Sequence, residues 1–538
     1  MIKRAVIILA LGGIIALPFI LRPKQAAQGK AEATLVIITS HNEAIRHEYG
    51  AGFRQWHKAR TGKTVFIDWR VIGGTSEIMR FLESEYVASF QNHWQGKLGK
   101  PWSSEVQAAF ANPRLAPDAP AVAQEARREF LASEVGCGID LFFGGGSYDY
   151  VRQAQAGRLV PSRILQTHPA WFADAVIPHR YAGETFWDQE GRWFGNVLSS
   201  YGILYNKDAI ARLGISPPPQ QWQDLTHPKY VGEIALADPT KSSSIAKAFE
   251  NLMQQQMQQR LTALQATEPR LPAAEREARA VREGWVQGLR TLQLIGANAR
   301  YFTDSSQKPP IDVAQGNSAV GICIDFYGRY QAEAVRRRDD SARLVFVTPH
   351  GGTVNSVDPI ALLRGAPNRE VAEAFIEYSL SMEGQQLWNF KVGTPGGPRQ
   401  FALRRLPVRR DFYEHRDWRP LRSDPAAEPF AEVDQLIYQP AWTGGLFNEM
   451  ALIIRVMCLD THPELVKAWR AVIAAGMPPD AMAVLNDMSA VSYDRVCGPV
   501  KNVLNSKNKV DEIRLANELG AVFRAQYRRA EELARTVR

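Results

Sequence analysis

Residues 33–62, ATLVIITSHNEAIRHEYGAGFRQWHKARTG, carry two periods in succession. Ala33 to Thr39 is β-branched and apolar without a polar face, as expected of a strand covered on both sides. From Ile45 through Tyr49, Phe53 and Trp56 the large apolar residues recur every three or four positions until Gly62, the spacing of one helix face and its stop. The pattern repeats at once. TVFIDWRVI (residues 64–72) predicts a second strand, and Ile78, Leu82, Tyr86 and Phe90 predict a second helix. Alternation of this kind specifies an α/β fold with a parallel, helix-covered sheet.

The chain has 538 residues, too many for one core, and two or three units are expected. A hydrophobic share of 45% and a charged share of 22% exclude wholesale disorder. The net charge of +8 is weak evidence for a polyanion partner, because residues 1–33 hold five positive charges and one negative, leaving +4. Within that segment a basic MIKR precedes the apolar run Ala5 to Leu21, and a small-x-small site follows at Ala31-Glu32-Ala33. This reads as an export signal, also long enough to stay as a membrane anchor. The remainder is expected outside the inner membrane, in the periplasm. Four cysteines make neither a disulfide scaffold nor a metal knuckle; Cys458 and Cys497 are close enough in sequence to pair in an oxidising compartment.

Residues 91–135 are polar, Ala-rich and without a period, as in an insertion. GIDLFFGGGSYD (residues 138–149) returns to a buried strand that ends in three glycines, and NVLSSYGILYN (residues 196–206) reads as another strand. Residues 254–293, rich in Gln, Ala, Arg and Glu, are expected to form an exposed helical insertion. GNSAVGICIDFYG (residues 316–328) is a strand that ends by presenting Asp325, Phe326 and Tyr327 together. Strands RLVFVTP and GTVNSVDPIALL and a helix over 368–390 follow, then a basic segment and amphipathic helices to Arg538.

In order, LVIITSHNEAIRHEYGAGF (35–53), IDLFFGGGSYDYVRQAQAGRL (139–159), GILYNKDAI (202–210), PPPQQWQDLTHPKYVGEIALADPTKSSS (217–244), AVGICIDFYG (319–328), the run from Phe346 to Trp388, and GTPGGP (393–398) resemble the extracellular solute-binding proteins of ABC importers. The nearest resemblance is to the ferric-iron-binding cluster, which includes binders of phosphorylated metabolites. It implies a two-lobed type 2 periplasmic-binding-protein fold with helical insertions and a C-terminal helical extension. The expected division is lobe one at 34–143 plus 344–383, lobe two at 144–343 plus 384–424, and the extension at 425–538. It also implies a small-molecule solute, delivery to an inner-membrane ABC permease, a monomer, and no cofactor, catalytic set or nucleic-acid partner.

Ligands in open α/β sheets bind beyond the carboxyl ends of the strands, so the loops there are the candidates. They supply Ser40 and His41 after the first strand, with Asn42 a helix cap; Gly74 and Thr75 at the start of the second helix; Ser199; Ser242, Ser243 and Ser244 before a third helix; and Asp325, Phe326 and Tyr327. Free backbone N–H groups at such helix starts suit a carboxylate or phosphate, although one serine already suffices as a cap. The iron binders have two adjacent tyrosines where this chain has Phe326-Tyr327. Phenylalanine cannot supply a phenolate, so an anionic phosphorylated or carboxylated metabolite is expected before ferric iron, which would have to use Tyr327, Asp325 and His41. An exported enzyme using His41 or Asp325 as acid/base, or a sensor, is the other reading. RTGKT (residues 60–64) lacks the first glycine of a phosphate loop, and neither HExxH nor G-x-S-x-G occurs.

Overall fold

The computed structural model describes residues 31–336, 339, 341–431, 435–506 and 508–536. The apolar N-terminal run lies outside these residues, and no described helix is long and apolar enough to cross a membrane. In chain order the principal elements are β1 (Ala33–Thr39), α1 (Glu43–Thr61), β2 (Val65–Arg70), α2 (Thr75–Asn92), β3 (Leu141–Phe143), α3 (Ser147–Ala156), β4 (Phe194–Ser199), β5 (Tyr201–Asn206) and β6 (Ile234–Ala237). These are followed by α4 (Ser243–Thr267), α5 (Ala273–Asn298), β7 (Ala299–Thr303), β8 (Val320–Ile324), α6 (Asp325–Ala334), β9 (Leu344–Val347) and β10 (Ser356–Leu363). The last are α7 (Arg369–Leu380), α8 (Met382–Asn389), β11 (Leu406–Pro407), α9 (Phe447–Ile454), α10 (His462–Ala474) and α11 (Lys509–Thr536).

Two sheets organise these elements. The first has the order β11-β4-β10-β3-β1-β2, and the second β7-β6-β8-β5-β9. β1 pairs in parallel with β2 and β3, from Ala33 opposite Val65 to Thr39 opposite Phe143, which is the parallel, helix-covered core predicted from residues 33–90. β10 then runs antiparallel between β3 and β4.

The lobes divide differently from the expected boundaries. NVLSSYGILYN is two strands: β4 pairs with β10 in the first sheet and β5 with β8 in the second, and the chain changes sheets at Ser200. It crosses back between β9 and β10, and Thr353 in that crossing accepts from the Tyr201 N–H at 3.1 Å. Residues 144–199 and 384–424 therefore belong with lobe one, because α3 returns onto the sheet that β3 has just left and α8 lies against β11 and α1. The predicted helix over 368–390 is two helices. Ser381 breaks them, capping the second by accepting from the Gly384 N–H.

The helical insertion is exposed only toward its tip, around residues 259–279, and is buried at its base. α4 and α5 form an antiparallel pair, and their outer face is covered by the C-terminal helices, which share one core with the second sheet. Of the glutamines that suggested a solvated face, Gln254, Gln255, Gln256 and Gln293 are buried with partners, while Gln259, Gln265 and Gln287 stay exposed. Gln254 donates to Thr443 Oγ1 at 2.7 Å and Gln293 to the Tyr527 hydroxyl at 3.2 Å. A side-chain amide survives burial when its hydrogen bonds are made within the protein, so composition alone misreads such a helix. The insertion at 91–135 likewise packs into lobe one through Trp94, Phe110 and Phe130.

After Phe430 the chain passes to lobe two, making a third connection between the lobes. Tyr438 N–H donates to Ala182 O at 2.8 Å, and Leu436 N–H to Thr353 O at 2.9 Å. Cys458 is buried and Cys497 exposed, and all four cysteines are free, so the pairing considered from sequence is not formed.

Trp469 tests the bond between extension and lobe: it is 2% exposed and donates to Asn298 Oδ1 at 2.9 Å. Trp469→Ala should lower the stability of lobe two by about 3–5 kcal/mol in urea unfolding, the range for deleting a buried large aromatic. In native protein a thiol reagent should label Cys497 quickly and leave Cys323 and Cys458 unlabelled until unfolding.

Candidate functional site

The crossing at Ser200 brings the carboxyl ends of β1, β3 and β8 together, and Arg405 lies among them. Its guanidinium is fully buried, paired with Asp358 Oδ2 at 2.6 Å and hydrogen-bonded to Ser199 Oγ. It sits 4.4 Å from the Phe326 ring of lobe two and 5.4 Å from Trp388 of lobe one. Among the described residues Nε and Nη1 have no hydrogen-bond partner. The preceding residue, Arg404, takes φ +53, an unfavourable conformation for a side chain of that size, and pairs with Asp424 at 2.7 Å.

The sequence-predicted groups divide into two clusters, of which the first surrounds Arg405. His41 is 6% exposed and lies edge-on to Phe143 at 4.5 Å, with Nε2 unpartnered. Burial holds its pKa well below the usual imidazole value, helped by Arg405 and Arg46, so it is neutral. Asp325 opens α6, is completely buried, and is ion-paired with Arg329 one turn on. Burial raises its pKa while Arg329 and Arg405 oppose the rise. Phe326 and Tyr327 pack as a tilted pair with ring centroids 4.1 Å apart, and burial pushes the Tyr327 hydroxyl upward, keeping it a phenol. The Ser199 hydroxyl is taken up by Asp358 and Arg405, and Asn42 caps α1 by accepting from the Ile45 N–H. Ser40 is half-buried beside His41.

The second cluster is built where three helices begin. Gly144 and Gly145 have φ of +87 and +117, and a Cβ on them would lie 2.5 Å from His41 Nε2 and 2.8 Å from Thr75 Cγ2. Only glycine can occupy these positions without displacing the first cluster or the start of α2. Across the cleft, a Cβ on Gly74 would lie 3.2 Å from Lys241 O, so the starts of α2 and α4 face each other. Ser242 is consumed as the cap of α4, accepting from the Ile245 N–H, and Ser243 faces Asp149 of α3. Ser244 is half-buried in the first turn.

Two ionic contacts flank the clusters and join the lobes. Lys247 of α4 pairs with Glu184 of lobe one at 2.7 Å and with Glu250 at 2.9 Å, its ammonium 3.5 Å from the Tyr438 ring. Burial opposes the charge on Lys247, but the two carboxylates more than offset it and raise its pKa. On the other side, Arg329 of lobe two reaches Asp424 of lobe one at 3.7 Å. Two surface cavities on lobe two, of about 810 and 680 Å³, touch neither cluster.

Sequence reading missed Arg405, Asp149 and Lys247. Arg405 is one of many arginines in LRRLPVRR, and only the adjoining apolar Leu406-Pro407-Val408 marks it as strand-borne and buried. Asp149 looked like an ordinary first-turn acid of α3.

Residues 139–407, half of the chain, match the model of the family described as bacterial extracellular solute-binding protein. Over 250 residues the chain is 26% identical to an uncharacterized protein of Haemophilus influenzae, covering 46% of this chain and 60% of that one. Over 193 residues it is 26% identical to the phosphoglycerate transport regulatory protein of Salmonella typhimurium, covering 36% and 39%. Each match spans less than two thirds of the relative's length. Among solved structures, the periplasmic binding protein AfuA of Actinobacillus pleuropneumoniae, with fructose-6-phosphate bound, aligns at a TM-score of 0.44 and 19% identity, over 66% of this chain and 82% of that one. The family match and the two crossed α/β lobes agree with the type 2 fold expected from sequence.

Asp149 gives the site a pH signature. Burial raises its pKa from 3.8 to about 6, so the folded state holds this proton more tightly than the unfolded chain. Its contribution is therefore full below about pH 4 and is lost as pH rises through about 6. Asp149→Asn should remove that decline and stabilise the protein at pH 7 by at most about 3 kcal/mol, read by urea unfolding across pH 4–7.

Proposed function

We propose that this chain, which belongs to the bacterial extracellular solute-binding protein family, captures a small organic anion between its lobes outside the inner membrane and delivers it to an ABC permease. The observation that carries this reading is Arg405, a buried cation at the cleft with two guanidinium nitrogens unpartnered and aromatic rings of both lobes against it. A phosphate or carboxylate suits such a group, whose planar fork of donors matches the oxygens of either anion. The start of α2, which carries no aspartate facing the glycine loop, adds a field of the same sign. The Salmonella typhimurium relative is named for phosphoglycerate transport, a solute of this class.

Ferric iron fits less well. Asp325 is already neutralised by Arg329, Tyr327 is held as a phenol, and Arg405 places a positive charge among the would-be ligands. Among the described residues no group of three or more His, Cys, Asp or Glu is placed to hold a metal. Acid/base work is also poorly served, since His41 has no carboxylate partner and Asp325 is committed to its arginine.

A thermal-shift screen of phosphorylated and carboxylated metabolites tests the reading. A true ligand at about 100 Kd should add ~2.7 kcal/mol of stability, be recovered unchanged, and lose at least a hundredfold in affinity in Arg405→Met. Ferric citrate should give no phenolate-to-iron absorption. A visible band that disappears in Tyr327→Phe would replace the organic anion by iron.

A further inference from the structure

Asp149 is a buried carboxylate at the seam between the lobes, with no ion-pair partner among the described residues. It is 7% exposed, and its Oδ2 has no hydrogen-bond partner. The groups that face it are few. Ser243 approaches from α4 across the cleft, and Arg152 on its own helix acts on it only at longer range. It lies in the first turn of α3, immediately after Gly144–Gly146, whose far side touches His41 and Thr75. The glycine loop thus separates a positive end, Arg405, from an acceptor end, Asp149.

A carboxylate buried without a cation is costly unless a donor reaches it, and here the serine of the opposite lobe supplies one donor for two oxygens. Helix starts alone would favour an anion at this spot, but Asp149 already occupies it and would repel a second negative group. What remains compatible with Oδ2 is a hydrogen-bond donor.

We propose that Asp149 is a second recognition point of the cleft, accepting a hydrogen bond from a hydroxyl or ammonium group of the same solute whose anionic group Arg405 holds. The solute is then a bipolar molecule, a hydroxylated or amino-substituted organic anion, and simple alkyl phosphates and carboxylates are discriminated against. Because Asp149 and Ser243 belong to different lobes, the donor also seals the closed form. This inference rests on the anion-binding reading above and adds the chemistry of the other end.

Three probes that differ at one carbon test it: 3-phosphoglycerate with a hydroxyl there, O-phosphoserine with an ammonium, and 3-phosphonooxypropionate with hydrogen. Calorimetric titration of the full chain should give the hydroxyl or ammonium compound at least a tenfold advantage over the hydrogen compound. Asp149→Ala should bring the favoured compound to within threefold of the hydrogen compound. The isosteric Asp149→Asn, which removes the charge with little change of shape, should abolish any advantage of O-phosphoserine while sparing that of 3-phosphoglycerate. The proposal is overturned if the wild-type chain binds 3-phosphonooxypropionate as tightly as the others, or if the preference survives in Asp149→Ala. Loss of all three probes in Arg405→Met with an unchanged preference in Asp149→Ala would sink this inference and leave the anion site standing. Unchanged binding in Arg405→Met would sink the anion site itself.

Discussion

A guanidinium taken out of water costs several kcal/mol unless its charge is matched and its donors are satisfied. Arg405 is matched by one carboxylate, Asp358, and one hydroxyl, Ser199, both on strands that lead into the lobe crossings. The polypeptide that carries β4 into β5 and β9 into β10 is therefore fixed around this side chain. Asp325 N–H donates to Ser200 O at 2.9 Å, so the start of α6 in lobe two is placed by the same crossing. Lobe orientation, the aromatic pair Phe326 and Tyr327, and the position of His41 all refer back to one buried cation.

The lobes are held by more than the two crossing strands. Lys247 and its two carboxylates form a nearly dry ion cluster that spans the seam, with Tyr438 and Thr443 donating to Glu250 at 2.9 and 2.6 Å. Both residues belong to the third connection, so the C-terminal extension contributes to the interlobe contact as well as to the core of lobe two. Buried pairs of this kind gain little net stability over apolar packing but are costly to break one side at a time.

Much of this was legible beforehand in residues with an unambiguous period. Ala33–Thr39 and the Ile45, Tyr49, Phe53, Trp56 stripe gave strand and helix because period and cap agreed at every step. The glycine run after β3 was legible as a turn, although which side chains it admits depends on Thr75 and His41 arriving from elsewhere. The lobe boundary was not legible, because a strand that changes sheets at Ser200 has the same local pattern as one that does not. Gln254 of α4 was misread for a related reason: its partners Gln439 and Thr443 lie more than 180 residues away.

The sequence by itself determined the α/β alternation, the strand ends where loops gather, and a phenylalanine beside Tyr327 after β8. Tertiary structure alone decided which of those groups remain uncommitted. Ser199 and Ser242 spend their hydroxyls on the hinge and a cap, Asp325 spends its charge on Arg329, and Arg405 and Asp149 keep unpartnered atoms. The physical reason is that hydrogen-bonding capacity is local to a residue, whereas its satisfaction depends on neighbours brought in by the fold.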